Sequence, residues 1–288
     1  MNKASKTEAP VWGILGGMGP LASAEFLASI YKFSLGRPEQ NMPTLYLMSD
    51  PKVPDRTKAI LTGEYGNVVR SLECLLKKLW SIQVDHIVVP CITAHFFFPY
   101  LNLPEKITSR VISLVDVIYE SLLADHRRYI LLCTSGTRKA RIFQSDRRWK
   151  EICRHKLVIL PSSTDQDKIH KYLYDVKQTW SLGDIELLKA LEKKYNADGF
   201  IAGCTEVHLY VRQLISDGIQ VIDPLTILAR RIADSSFDQA GRRSRIPDGD
   251  DFFASSQQQQ FKIDEVIAAR DTQMLVTEIA TERRNRAR

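Results

Sequence analysis

The sequence predicts an α/β protein built from two similar parallel-sheet halves, on the strength of two observations. Short apolar runs alternate with amphipathic segments from about residue 11 to residue 233, as expected for parallel strands joined by crossover helices. Two segments, IVVPCITAH at 87–95 and GFIAGCTEVH at 199–208, also resemble each other. Each begins as a buried strand and continues with a Cys, a Thr within two residues and a His four residues after the Cys.

Composition narrows the class of protein. The chain has 288 residues, 44% hydrophobic and 26% charged, which is typical of a soluble globular protein. No apolar run approaches the roughly 18 residues that cross a bilayer, and the polar N-terminus does not resemble a signal peptide, so a cytoplasmic location is expected. The five Cys form no C-x-x-C pair, so neither a disulfide framework nor a metal site is expected. The net charge of +6 is mild, and no nucleic-acid partner is expected.

The first half opens with a strand that runs into the turn GGMGP at 16–20, followed by a helix over 21–33. This turn either brings backbone close to a ligand or is only a tight connection, and it does not meet the dinucleotide fingerprint. A strand over 44–48 leads into a proline-stiffened loop over 49–57 that carries Arg56. A helix over 68–80 comes next, with Cys74 expected to be buried, and then the first Cys segment.

The second half repeats the alternation. It follows a strand-then-helix segment over 111–124. Strands are predicted at 129–133, at 157–161, before Cys204 and at 220–223. Helices are predicted at 138–143, 166–176, 182–195 and 225–233. Residues 241–260 read as a linker, and 261–288 as one helix or a loose tail. The predicted domains are 10–115 with 212–236, then 116–211, and a C-terminal extension over 237–288.

Cys91 and Cys204 are the candidate catalytic residues. Ligands of open α/β sheets bind beyond the carboxyl ends of the strands, so one Cys from each half can face a single substrate from opposite sides. A thiolate and a thiol so placed can remove an α-proton and return it on the other face without a cofactor. Free Cys titrates near pH 8.5, and nearby positive charge favours the thiolate. A lone Cys after a strand is usually a core residue, as expected for Cys133, but the matched pair favours catalysis.

Several neighbouring residues have two interpretations. Arg56 is either solvated or binds a carboxylate through two parallel hydrogen bonds. His95 and His208 either support the Cys residues or cap the following helix. Glu206 either assists Cys204 or binds a substrate ammonium group.

Six motifs, in order along residues 11–233, resemble those of the aspartate/glutamate racemase family, most closely its aspartate racemase branch. They are GILGGMGP (13–20), SDPKVPDRTKAIL (49–61), PCITAH (90–95), TSGT (134–137), IHKYLYDVK (169–177) and GCTEVHL (203–209). The resemblance implies two pseudo-symmetric α/β domains with the site in the cleft between them. It also implies a homodimer that needs neither metal nor pyridoxal phosphate.

The resemblance assigns roles to individual residues. It implies that Cys91 and Cys204 are the two catalytic bases. It also implies that Arg56 binds the side-chain carboxylate of the substrate and that Lys177 contacts the substrate. The full set of expected substrate-binding residues is Met18, Gly19, Arg56, Ile92, Thr93, Thr134, Thr137, Lys177, Thr205 and Glu206. Ile92 departs from the family pattern, in which an Asn follows the first Cys. If that Asn holds the α-carboxylate, its loss costs about 1.5–3 kcal/mol of binding.

The function predicted is a cofactor-independent racemase acting on aspartate or glutamate. Two alternatives remain open at the level of sequence. One is a cis–trans isomerase of a dicarboxylate in which Cys91 adds to the double bond. The other is a binding or regulatory homologue that has lost turnover because of Ile92 and uses its C-terminal tail for docking.

Overall fold

The computed structural model describes residues 9–125, 127–155, 157–179 and 185–234. The predicted linker over 241–260 and the predicted helix over 261–288 lie outside the described residues. Among the described residues, no helix has both the length and the apolar character needed to cross a membrane.

Two four-stranded parallel sheets form the framework, as the sequence predicted. The first contains β1 (Val11–Gly16), β2 (Thr44–Ser49), β3 (His86–Val88) and β4 (Val111–Ile112), in the order β2-β1-β3-β4. The second contains β5 (Tyr129–Leu132), β6 (Val158–Ile159), β7 (Gly199–Ala202) and β8 (Gln220–Ile222), in the order β6-β5-β7-β8. The strand order is therefore the same in both sheets, with β3 and β7 in equivalent positions. The central strands β5 and β7 are buried along their whole length because helices cover both faces of such sheets.

Eleven α-helices are found in the described residues: α1 (Pro20–Phe33), α2 (Arg56–Thr62), α3 (Gly66–Ser81), α4 (Glu105–Thr108), α5 (Leu114–Ala124), α6 (Ser135–Lys139), α7 (Trp149–Arg154), α8 (Ser163–Thr179), α9 (Ile185–Tyr195), α10 (Val211–Ser216) and α11 (Pro224–Ala233). Short 3-10 helices cover Glu39–Asn41, Ile92–Tyr100 and Thr205–Tyr210. The predictions for α1, α3 and α11 agree with the structure to within two residues at each end. The prediction for α9 began at residue 182, and residues 182–184 are not described.

Two helices differ from the sequence prediction because capping residues were overlooked. The predicted loop over 49–57 ends at Asp55, whose side chain accepts a hydrogen bond from the Lys58 N–H and so starts α2 at Arg56. The helix predicted over 138–143 is instead α6, over residues 135–139. Thr134 caps it by accepting from the Thr137 N–H.

The range 212–236 is described as far as residue 234, and its elements do not all lie in one half. The sequence assigned this range to the first half, but β8 pairs with β7 in the second sheet, because its buried residues Val221 and Ile222 complete the ladder there. The following helix α11 packs against α1 and α5. The predicted return of the chain toward the first half therefore begins after β8, at Pro224.

Packing in the apolar core decides whether Cys74 and Cys133 are buried. Helix α3 buries a stripe that includes Leu72, Leu76 and Leu79. Cys74 lies off this stripe and is exposed, so the prediction that it is buried is wrong. Cys133 is buried, as predicted, and burial raises the pKa of its thiol to about 12.

Candidate active site

Cys91 and Cys204 occupy equivalent places beyond the carboxyl ends of β3 and β7. Each is an extended residue that immediately precedes a 3-10 helix. Each is only 5% exposed. The matching strand order of the two sheets thus brings two cysteines into the same local conformation, as the repeated sequence segments predicted.

Arg56 is the charged group beside Cys91. Its Nη1 donates to the carbonyls of Val53 (3.1 Å) and Pro54 (3.0 Å), and its Nη2 donates to the Met18 carbonyl (3.0 Å). These bonds fix the guanidinium against the first turn. Burial lowers the pKa of Arg56, but the charge of Cys91 and the hydrogen bond between the two side chains more than offset this and raise it. The guanidinium is therefore a fixed cation beside Cys91.

Glu206 is the charged group beside Cys204. The Cys204 thiol donates a hydrogen bond to Glu206 Oε2 over 2.7 Å. Burial, and then the negative charge of Glu206, raise the pKa of Cys204 well above its usual value. The other oxygen, Oε1, lies 3.6 Å from Lys177 Nζ. The surroundings of Cys204 therefore favour its thiol form.

A cavity of about 290 Å³ lies against these charged groups. Its wall includes the turn and start of α1 over residues 17–22, the segment before α2, and residues at the end of α8 and after Cys204. Its charged lining in the described part of the chain consists of Asp55, Arg56, Lys177 and Glu206. The volume suits a small polar metabolite rather than a larger cofactor.

Four buried threonine hydroxyls form a cluster where the two halves meet. Thr93 Oγ1 lies 2.8 Å from Thr137 Oγ1 and 3.3 Å from Thr134 Oγ1. Thr57, which sequence reasoning did not select, donates to Thr134 over 3.4 Å. A Cβ on Gly136 would lie 2.6 Å from Thr57 Oγ1, so a glycine at this position permits the close approach of α2 and α6.

The remaining predicted binding residues have several different placements. Gly19 lines the cavity, whereas the side chain of Met18 is buried and only its carbonyl holds Arg56. Thr205 Oγ1 donates to the Pro90 carbonyl over 3.0 Å, which ties the second Cys turn to the first. Ile92 is buried at 1% exposure.

His95 caps a helix and holds the backbone of Cys91. Its Nε2 accepts a hydrogen bond from the Leu114 N–H at the start of α5 (3.1 Å), so Nδ1 carries the proton and donates to the Cys91 carbonyl (3.0 Å). Burial lowers the pKa of His95, and its backbone hydrogen bonds oppose this without reversing it. The ring is therefore neutral, and it positions the Cys91 backbone.

His208 lies in a buried polar network. Its Nδ1 is 2.6 Å from Asp223 Oδ2, and its Nε2 is 3.1 Å from Ser29 Oγ. Asp223 also caps α11 by accepting from the Leu225 and Thr226 N–H groups. Burial raises the pKa of Asp223, but His208 and the capping bonds lower it overall. His208 thus connects the second Cys turn to α1 and α11, contacts for which the sequence gave no signal.

Comparisons with known proteins agree with the two-sheet fold. The family model described as Asp/Glu/hydantoin racemase matches residues 15–232. The structure is similar to Picrophilus torridus aspartate racemase, with a TM-score of 0.66 and 23% identity over 82% of this chain and 96% of that one. The structure is also similar to an aspartate racemase homologue from Pyrococcus horikoshii. The TM-score is 0.55 and the sequence identity is 21%, over 79% of this chain and 99% of that one. For glutamate racemase from Francisella tularensis in complex with D-glutamate, the TM-score is 0.55 and the sequence identity is 15%, over 83% of this chain and 85% of that one.

Proposed function

This chain belongs to the Asp/Glu/hydantoin racemase family, and we propose that it is a pyridoxal phosphate-independent two-base racemase of aspartate or glutamate. One observation carries the proposal. Cys91 and Cys204 lie at equivalent strand ends, and the groups that contact them, Arg56 and Glu206, line one cavity. A racemase needs a base on one face of the α-carbon and an acid on the other. Cys91 lies beside a cation, and Cys204 donates its proton in a hydrogen bond to a carboxylate.

Each cysteine has a defined part in the reaction. Cys91, beside the Arg56 cation, removes the α-proton as a thiolate. Cys204, whose thiol is hydrogen-bonded to Glu206, delivers its proton to the opposite face. The reverse reaction exchanges the two parts. Inversion therefore requires no electron sink other than the carboxylate of the substrate itself.

Charge in the cavity favours an acidic substrate. Arg56 and Lys177 are cations in its wall, and the N-terminal end of α1 contributes to the same surface. A dicarboxylic amino acid places one carboxylate near these groups and its ammonium group near Asp55 or Glu206. The hydroxyl cluster of Thr93, Thr134 and Thr137 is suited to the α-carboxylate, whose charge grows as the proton leaves.

The substrate assignment is tested by inversion of each enantiomer of aspartate and glutamate, followed by chiral chromatography with a chelator present and pyridoxal phosphate omitted. We expect inversion by the wild-type chain and by Cys153→Ala, a control at an exposed position. Cys91→Ala and Cys204→Ala should be inactive. No inversion of either amino acid would reject the substrate assignment, and inversion by either variant would reject the mechanism.

A further inference from the structure

Racemisation by two cysteines depends on the distance between them. The α-carbon lies between the sulfurs, so each sulfur must come within about 3–3.5 Å of the reacting centre, and a misplacement of about 1 Å can cost about a hundredfold in rate. Cys91 and Cys204 follow strands of different sheets. Contacts that join the two cysteine turns directly therefore decide whether the pair can act on one carbon.

Thr205 joins the two turns by a hydrogen bond. Its Oγ1 donates to the Pro90 carbonyl over 3.0 Å, and both residues are buried. Thr205 directly follows Cys204, and Pro90 directly precedes Cys91. Because a peptide group is planar, fixing the Pro90 carbonyl also fixes the amide nitrogen of Cys91. The bond therefore limits how far the two turns can separate.

The direction of this bond leaves the Thr205 hydroxyl no proton for a substrate carboxylate. A carbonyl only accepts hydrogen bonds, so Thr205 is the donor, and a threonine hydroxyl has one proton to donate. An ionised carboxylate also only accepts. Thr205 would have to release Pro90 in order to bind one. The family resemblance implied that Thr205 binds the substrate, whereas its hydroxyl in the structure contacts the opposite cysteine turn.

The hydroxyl cluster differs from Thr205 in this respect. Thr93 Oγ1 lies 2.8 Å from Thr137 Oγ1 and 3.3 Å from Thr134 Oγ1, and in both pairs either hydroxyl can be the donor. These hydroxyls can turn a proton toward a carboxylate and still accept from one another. Carboxylate binding therefore suits the cluster, and a fixed contact between the turns suits Thr205.

The equivalent position in the first half cannot return the bond. Ile92 and Thr205 each follow a cysteine and each begin a 3-10 helix. Three residues after each cysteine, the N–H of Ala94 or Val207 donates to the cysteine carbonyl over 3.1 Å, so these backbone bonds also match. The side chain of Ile92 has no polar atom and is 1% exposed. Of these two matched positions, Thr205 alone can tie the turns through its side chain.

We infer, on the basis of the proposed function, that Thr205 is a positioning residue that sets the separation of the Cys91 and Cys204 turns and does not bind the substrate. Without its hydroxyl, the substrate should still bind, but the two sulfurs should be less well placed around the α-carbon. The chemical step should slow in both directions, because the separation affects removal and delivery of the proton alike.

The role is tested with Thr205→Val, which keeps the branched side chain without the hydroxyl, and Thr205→Ser, which keeps the hydroxyl. We expect Thr205→Val to lower kcat for both enantiomers by about a hundredfold, as for a misplacement of about 1 Å, with little change in KM. Thr205→Ser should retain most of the wild-type kcat. Thr108→Val is the matched control, since Thr108 also donates to a backbone carbonyl, that of Glu105 over 3.2 Å, and it should change neither kcat nor KM.

A second measurement follows the separation of the sulfurs without turnover. Dibromobimane becomes fluorescent when both of its arms have reacted with thiols, and peptide mapping identifies the cysteines that it joins. A Cys74→Ser, Cys153→Ser background removes the exposed thiols. In this background we expect the reagent to bridge Cys91 and Cys204. Thr205→Val should lower the yield of the bridge several-fold, and Thr205→Ser should not.

Three results would overturn the positioning role. A raised KM with unchanged kcat in Thr205→Val would make the hydroxyl a substrate ligand. A loss of kcat in Thr205→Val that Thr205→Ser shares in full would show that the hydroxyl is not responsible. A yield of the bridge that Thr205→Val does not lower would show that the bond to Pro90 does not set the separation. Absence of inversion by the wild-type chain would instead reject the proposed function, and the yield of the bridge would still test the separation of the turns.

Discussion

The turn at Cys91 and the turn at Cys204 have the same backbone but opposite electrostatics. Both cysteines follow equivalent strands, are extended, precede a 3-10 helix and are 5% exposed. Cys91 lies beside the Arg56 guanidinium, whereas Cys204 donates to the Glu206 carboxylate. A repeated fold can thus place two identical side chains symmetrically while their neighbours give them different electrostatic surroundings.

The histidine four residues after Cys91 and the histidine four residues after Cys204 also have different contacts. His95 binds backbone groups, the Cys91 carbonyl and the Leu114 N–H. His208 binds side chains, those of Ser29 and Asp223. Equal spacing along the chain therefore does not fix what each ring contacts, because the partners depend on the packing around it.

The largest effect is expected when either sulfur is removed. Cys91→Ser and Cys204→Ser should each slow racemisation by about 10²- to 10⁴-fold, because each removes a positioned acid or base. In D2O, each variant should still exchange the α-proton of one enantiomer, and the two variants should act on opposite enantiomers. Proton NMR measures this exchange. Exchange of the same enantiomer in both variants would contradict an opposed arrangement.

A smaller effect is expected from neutralising Glu206. Hydrogen bonds to charged groups contribute about 1.5–3 kcal/mol, so Glu206→Gln should make Cys204 about tenfold or more faster to alkylate at mildly alkaline pH. The negative charge raises the pKa of Cys204, and its removal should shift the pH profile of alkylation to lower pH. Mass spectrometry in a Cys74→Ser, Cys153→Ser background isolates the buried thiols. A profile shifted to higher pH would show that Glu206 does not hold the proton on Cys204.

Gly136→Ala tests how closely the two halves must approach. The added Cβ would lie 2.6 Å from Thr57 Oγ1 and 2.7 Å from Thr57 Cα, so α6 must move away from α2. Overpacking of this kind costs about 1–3 kcal/mol. We expect a lower free energy of unfolding in urea and a raised KM, because Thr134 and Thr137 move with α6. Gly218→Ala is a useful control for stability alone, since no atom lies within 4 Å of its added Cβ, although its φ of +80° is itself unfavourable for alanine.

The smallest effect is expected at His95, and it depends on pH. His95→Phe removes two hydrogen bonds, each contributing about 1 kcal/mol. The folded-state pKa of His95 is lowered, so below the unfolded value of about 6.5 the unfolded chain binds a proton that the folded chain does not. The loss of stability caused by His95→Phe should therefore be larger at pH 8 than at pH 5. A loss of stability that grows toward acid pH would contradict a neutral buried ring.

Much of the fold was predictable because apolar runs and strand ends are local signals. The repeated Cys segments located β3 and β7 and their cysteines, and the confirmed two-sheet fold followed from the alternation. Contacts between distant segments were not predictable: Thr57 with Thr134, or His208 with Ser29 and Asp223, depend on how helices pack and leave no pattern in the sequence. The start of α2 at Arg56 was missed although Asp55 is an ordinary capping residue, because the nearby prolines dominated the interpretation.

The most direct test of two opposed cysteines uses L-aspartate or L-glutamate that carries ordinary hydrogen at the α-carbon. The amino acid is converted in D2O, and the position of the incorporated deuterium is followed. Each Cys exchanges its proton with solvent, so a two-base enzyme delivers deuterium to the face opposite the one from which it took hydrogen. We expect the first D-product to carry deuterium at the α-carbon while the remaining L-substrate keeps its hydrogen. Deuterium entering the unconverted L-substrate as fast as it enters the product would contradict the account, because a single group would then serve both faces.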